Sequence, residues 1–416
     1  MTKNSVEVAV IGGGAAGIAA ARKLAAHGID CLIVEARSRL GGRAFTVTEP
    51  SGFALDLGCG WLHSADCNPW AAVATAQGRQ FSKATPPWGR ATMTKVMPLE
   101  TQRAFRAAMA DLFERVAQAA ATGRDRPISE LVPADGRWTG MLNAVMTYIA
   151  GAELDRMSTI DLDRYEDTEL NWRLVDGYGA MIAASADGLA TALDCPVTRI
   201  DHSGRRIRIE TAQGVIEADR VIVTLPTSII GDNEDLFFPA LPRKTEAARG
   251  LPLGLDDKLF IALDGADEFE AESRVFGHTD RAATGNYHFR PFGRPIIECY
   301  FAGRWAHELE AGGDKAFFDF AVSELTGLFG SGFARRLKPL CLHQWGADRY
   351  ARGSYSYAIP GAADQRAVLG APVDDRLFFA GEACSRHDFS TAHGALITGN
   401  EAANLILAAR RVNPSP

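Results

Sequence analysis

Glycines at a fixed spacing and one acid are the first residues in this sequence that can do chemistry. Gly12-x-Gly14-x-x-Gly17 lies between a short apolar run and an alanine-rich stretch, and Glu35 closes the next apolar run. That pattern is suited to the phosphates of a dinucleotide. Gly12 permits the tight turn. Gly14 lets a pyrophosphate reach backbone N–H groups at a helix N-terminus, and Gly17 lets helix and strand pack closely. Ala16 lies within the same glycine pattern, and Glu35 stands where an acid accepts ribose hydroxyls. Lys258 is a second candidate, because it opens an otherwise apolar strand. A lysine entering a core needs a reason, since burying its charge is costly. Residues 153–169 carry Glu153, Asp155, Asp161, Asp163, Glu166, Asp167 and Glu169. The run reads first as a solvated face; lining an entrance, it would attract cations.

The elements that must position these residues are legible in the periodicity. Residues 6–11 form a β-branched run with no polar face, as expected of a parallel strand covered on both sides. Residues 15–26 are good helix formers and 31–34 a second strand, which completes a β-α-β unit. Apolar spacing predicts helices over 101–122, 139–150 and 314–329, and a helical insertion within 75–190. Strands are expected at 197–200, 206–210, 215–218 and 221–225, and again at 258–263, 286–289, 296–301 and 377–380, before a final helix. No linker marks a boundary, which suggests two discontinuous domains sharing the chain in alternation.

Composition excludes several classes. The chain has 416 residues, 47% hydrophobic and 23% charged, so it is globular and too long for one ordinary core. Its 51 acids outnumber 44 bases for a net charge of −7, and no basic stripe suits a nucleic acid. Seven cysteines with no CxxC pair argue against a disulfide framework or a zinc site, so no metal is expected. No run approaches the ~20 apolar residues of a membrane span. A soluble, cytoplasmic, reduced protein is the expectation; its oligomeric state is not readable.

Further motifs give the chain a family likeness. Glu35-Ala36-Arg37-Ser38-Arg39-Leu40-Gly41-Gly42-Arg43, Leu57-Gly58-Cys59-Gly60-Trp61-Leu62-His63, Val197-Thr198-Arg199-Ile200, the return strand 219–226, Phe379-Ala380-Gly381-Glu382 and His393-Gly394-Ala395 follow one another in order. Together they resemble the flavin-containing amine oxidases, the monoamine and polyamine oxidase superfamily, as a soluble member of bacterial type. The likeness runs along nearly the whole chain.

The resemblance implies an α/β fold in which a Rossmann-like FAD-binding domain (1–75, 190–245 and 340–416) is interleaved with an α+β substrate domain (76–189 and 246–339). It implies non-covalent FAD. Ala36, Arg37, Gly41 and Gly42 would contact the cofactor, with Arg43 at its phosphates and Val197 at its adenine end. Gly58, Gly60 and Trp61 would cover the flavin ring, Trp345 would stand at its edge, and Gly381 and Glu382 belong to the C-terminal flavin motif. Gly394 and Ala395 would open a helix whose positive end faces the flavin carbonyls. Lys258 would hold a water against flavin N5, and His63 is either substrate-facing or structural. Tyr355 and Tyr357 would form an aromatic wall of the amine cage, although tyrosines at alternate positions are equally what a half-buried strand shows.

The implied reaction is oxidation of a primary or secondary amine, polyamine-like amines favoured, by hydride transfer from the α-carbon to the flavin. O2 would reoxidise the flavin and give hydrogen peroxide. Two departures stand out. Ser354 occupies the place where monoamine oxidases attach flavin through cysteine, and Thr391 falls where their second aromatic wall would be. Alternatives on the same scaffold are an L-amino-acid oxidase, with Arg90, Arg290 or Arg294 as carboxylate ligand, a C–C desaturating enzyme, and a non-catalytic FAD-binding protein.

Overall fold

In this computed structural model, which describes residues 4–412, two sheets organise the chain. The larger has eight strands. Ser5–Ile11 is flanked on one side by Cys31–Val34 and Thr191–Ala192, and on the other by Gly214–Val223. Gly214–Val223 changes partner along its length. Residues 214–218 pair antiparallel with Ile207–Thr211, and 221–223 pair parallel with Leu377–Phe379. Val8, Ala9, Val10 and Ile11 are all buried, as a strand covered on both faces requires. Helix Ala15–Ala26 lies against the final helix, Ala392–Val412, at a glycine contact. A Cβ on Gly399 would come within 2.2 Å of the Ala16 carbonyl oxygen.

The second sheet is antiparallel, in the order Ser273–Phe276, Asn286–Phe289, Ile296–Ala302, Asp256–Leu263, Leu337–His343. Its strands alternate. Leu259, Ile261, Val275, Tyr287, Cys299 and Phe301 share a core with Phe317, Ala321 and Leu325 of helix Asp314–Phe329. The residues between them, Lys258, Glu298, Tyr300, Asn286, His288 and Arg274, stand on the opposite face, which borders a large cavity. Helices Leu99–Ala121, Thr139–Ala150 and Thr159–Asp163 roof that cavity, with Leu112, Val116, Leu142 and Met146 in one apolar cluster.

We assign the larger sheet to one domain and the smaller, with these helices, to the other. On that assignment the elements shift two of the expected boundaries. Position 245 falls within helix Pro242–Arg249, whose Ala247 and Ala248 pack in the core of the larger sheet. Position 340 falls within strand Leu337–His343 of the smaller sheet. No described helix is long and apolar enough to cross a membrane.

Candidate active site

One continuous cavity of about 1200 Å³ runs from the glycine loop to the polar face of the smaller sheet. That exceeds the ~300–1,000 Å³ of an ordinary small-ligand pocket. Of the residues singled out in the sequence, Gly12, Gly14, Ala16, Glu35, Ala36, Arg37, Gly41, Gly42, Arg43, Gly58, Gly60, Trp61, His63, Val197, Lys258, Trp345, Tyr355, Tyr357, Gly381, Glu382, Thr391 and Ala395 line it. Gly17 and Gly394 do not; both are packing positions. A Cβ would lie 2.0 Å from the Gly12 carbonyl oxygen at Gly17, and 2.0 Å from that of Asp388 at Gly394.

The first pole is shaped for phosphate and ribose. Gly12 has φ +105°, a conformation that favours glycine, and Gly14 starts helix Ala15–Ala26 without a side-chain cap. Among the described residues, a Cβ on Gly14 would meet no protein atom closer than 3.9 Å, and Gly14 lines the cavity, so there is room beside it for a ligand. Glu35 accepts hydrogen bonds from the N–H groups of Gly13 (2.7 Å) and Arg37 (2.8 Å), which fixes its carboxylate while leaving acceptor sites over. The glycine cradle, the uncapped helix and the fixed acid fit a dinucleotide cofactor. Arg43 donates to Glu382 (2.9 Å) and to the Ser354 carbonyl (2.8 Å). Burial alone would raise the Glu382 carboxyl, but Arg43, Ser356 and Arg366 hold it below the usual range.

The second pole is a buried charge cluster. Lys258 donates to the carbonyls of Gly58 (2.7 Å) and Asp56 (3.1 Å) and faces Glu298 at 3.3 Å. Glu298 also accepts from Arg173 at 2.8 Å and from the Tyr300 hydroxyl at 2.8 Å, with His288 3.6 Å away. Burial would push the Glu298 carboxyl up, yet Arg173, Lys258 and His288 hold it well below the carboxylate range. Asp256 has the opposite balance. Burial raises its pKa to about 7 against the pull of Lys258 and Tyr355, and its buried Oδ1 has no partner among the described residues. Tyr355 donates towards Asp256 at 3.0 Å and the Tyr148 carbonyl at 2.9 Å.

Trp61 packs edge-on to Trp88 (4.5 Å) and under Arg173 (4.9 Å), while the buried Trp345 donates to the Leu57 carbonyl at 2.9 Å. His63 lies 2.6 Å from the Asn171 side-chain oxygen, and burial holds its imidazole below its ordinary pKa. Among the described residues, the Tyr357 hydroxyl has no hydrogen-bond partner. Thr391 has a further task, because its hydroxyl accepts the Gly394 N–H at 2.9 Å and so caps the final helix. Ser354 exchanges hydrogen bonds of 2.9 Å with both backbone groups of Asp256, stitching its segment to the Lys258 strand.

The acidic run divides. Glu153 and Asp161 are buried rather than solvated, and Arg366 grips Asp161 with two bonds of 2.7 Å. Asp163, Asp167 and Glu169 line the cavity. Arg290 and Arg294 lie outside it, tied to the carbonyls of Phe269 (2.8 Å) and Ala54 (2.8 Å), whereas Arg90 is on its wall. Sequence reasoning missed Glu298, Arg173 and His288. The signal available was the one that exposed Lys258, a charge inside an apolar strand. No group of three or more His, Cys, Asp or Glu among the described residues is placed to hold a metal ion.

Comparison with known proteins agrees with this geometry. The sequence pattern of the flavin containing amine oxidoreductases matches residues 66–407, and that of NAD(P)-binding Rossmann-like domains matches residues 10–75. The chain is 28% identical to polyamine oxidase 4 of Oryza sativa subsp. japonica, over 95% of this chain and 88% of that protein. It is 28% identical to polyamine oxidase 2 of Arabidopsis thaliana, over 97% and 88%. It is also 29% identical to lysine-specific histone demethylase 1 homolog 1 of Oryza sativa subsp. japonica over 97% of this chain, which spans 52%, about half, of that relative. With a family match covering most of its length and a dinucleotide cradle at its N-terminus, the chain belongs to the flavin-containing amine oxidoreductases.

Proposed function

We propose that this chain is an FAD-dependent amine oxidase that converts the C–N bond of a small primary or secondary amine to an imine. The observation that carries the reading is the single cavity joining the glycine cradle to Lys258, Trp61 and Tyr355. Gly12, Gly14, Glu35, Gly42 and Arg43 would hold the cofactor non-covalently. Ser354 is committed to backbone hydrogen bonds, and burial pushes the thiol of the cavity-lining Cys59 up to about 12, so neither is poised to attach a flavin. Bound FAD supplies a two-electron acceptor, which dioxygen would regenerate with release of hydrogen peroxide.

The protein's own part is binding, orientation and proton management. Asp163, Asp167 and Glu169 would raise the local concentration of a protonated amine. The relatives named polyamine oxidases make polyamines the first cationic amines to test. The amine must lose a proton before oxidation. His63, whose pKa burial lowers and whose Nδ1 is held by Asn171, offers Nε2 as an acceptor; Asp256 is a second. Two N–H groups of Lys258 are spent on carbonyls, leaving the third for Glu298 or a water. The test is peroxide formation by the purified yellow protein with a panel of amines. Absence of peroxide and of any substrate-dependent flavin reduction would remove the oxidase reading.

A further inference from the structure

One wall of the cavity carries positive charge that the proposed reaction leaves unused. Arg274 lies on strand Ser273–Phe276, and Arg106 on helix Leu99–Ala121; both line the cavity. Among the described residues the Arg274 guanidinium donates no hydrogen bond and meets no carboxylate. Its Nε is buried without a partner, and its one ring contact is with Phe276, at 4.8 Å. Burial first and Arg106 second pull its pKa down to about 10, so two cations share one end of the cavity. Asn286 lines the same wall, and its Oδ1 is also buried and unpartnered. This contrasts with Arg173, Arg366 and Arg37, each paired to a carboxylate at 2.5–2.8 Å.

Arg274 is half-buried, and a guanidinium whose Nε is buried without a partner and that has no counter-ion is costly unless a ligand supplies one. The guanidinium fork matches the two oxygens of a carboxylate.

The register also sets a distance. Lys258 pairs with Tyr300 and Tyr300 with Asn286, while Glu298 pairs with His288 and His288 with Arg274. The strands of Lys258 and Arg274 are therefore three steps apart, about 14 Å at ~4.8 Å per step. Side chains stand roughly perpendicular to a sheet, so much of that spacing carries through to their tips. An α-amino acid holds its amine and carboxylate on one carbon and cannot serve both poles.

Resting on the amine-oxidase reading, we propose that Arg274, with Arg106, is a distal anion subsite, and that the substrate is an amine carrying a carboxylate several carbons from the oxidised C–N bond. Its ammonium end would enter past Asp163, Asp167 and Glu169, and its carboxylate would supply the counter-ion that Arg274 lacks.

The experiment compares the FAD-loaded enzyme on ω-amino carboxylates from 4-aminobutanoate to 8-aminooctanoate with alkylamines and diamines of matched length. Binding of octanoate is measured separately by calorimetry. The expected result is a preference in kcat/KM of about tenfold or more for the longest amino carboxylates over the matched alkylamines, fading toward 4-aminobutanoate, which is too short to reach both poles. In Arg274→Gln that ratio collapses, mainly through KM, and octanoate binding weakens about tenfold or more; Arg274→Lys recovers part of both. Retained FAD and an unchanged melting curve establish that each variant is folded. Equal turnover of carboxylates and alkylamines, a preference for diamines, or a preference that survives in folded Arg274→Gln would overturn the proposal. Loss of all amine turnover with octanoate still bound through Arg274 would instead remove the amine-oxidase reading and leave the subsite standing.

Discussion

Replacing Asp256 by asparagine should change how stability depends on pH. In the folded protein the Asp256 carboxyl is raised from 3.8 to about 7, chiefly by burial. A carboxyl with a raised pKa binds more protons folded than unfolded between those values. Its contribution is therefore fully present below about pH 4 and is lost as pH climbs to about 7, where the native carboxyl ionises. About three pKa units at 1.36 kcal/mol each amount to about 4 kcal/mol. Asn is neutral throughout and can still accept from the Tyr355 hydroxyl, which lies 3.0 Å from the carboxyl. Urea denaturation of wild type and Asp256→Asn, both carrying FAD, would be followed from pH 4 to 8. The stability of the variant relative to wild type should rise by about 4 kcal/mol across that range and level off above pH 7. Parallel curves, with a constant difference within ~1 kcal/mol, would show instead that Asp256 is already ionised in the native protein at pH 5.

Other substitutions separate the roles assigned here. Gly14→Ala places a methyl in open cavity space, at least 3.9 Å from protein atoms, so FAD retention should fall about tenfold or more while the fold survives. Gly17→Ala puts its Cβ 2.0 Å from the Gly12 carbonyl oxygen, so the melting temperature should drop sharply; equal effects of the two changes would contradict the distinction. Arg366→Met strands the buried Asp161 and should cost about 3–5 kcal/mol in urea titrations, with partial recovery on adding Asp161→Asn. Lys258→Met should slow air reoxidation of the reduced protein by about 10²–10³-fold in stopped flow, and a change under threefold would count against its role beside the flavin.

How far the sequence reached follows from the range of each interaction. The β-α-β unit was legible because glycine spacing, a β-branched run and an alanine-rich helix are contiguous over residues 5–34. Helices Thr139–Ala150 and Asp314–Phe329 were legible because apolar periodicity is local. Lys258 stood out against the apolar strand around it. Glu298 is the same signal in Ile296–Ala302, one acid in an apolar strand, but its meaning depends on cross-strand register to His288 and on Arg173 far away in the chain. The acidic run looked solvated because Arg366, the partner of Asp161, lies 205 residues away. Thr391 could have been read as a helix cap from its type and place, since threonine before an alanine-rich helix is a common N-cap.

A bound flavin and an amine are expected to meet in the cavity between the glycine cradle and Lys258. Anaerobic titration of the purified yellow protein tests it most directly, using diamines, polyamines, alkylamines, ω-amino carboxylates and α-amino acids. At least one class of non-α amine should bleach the flavin, and admitting air should restore the colour with formation of peroxide. Protein that carries FAD but is bleached by no amine would show that no amine is oxidised in this cavity.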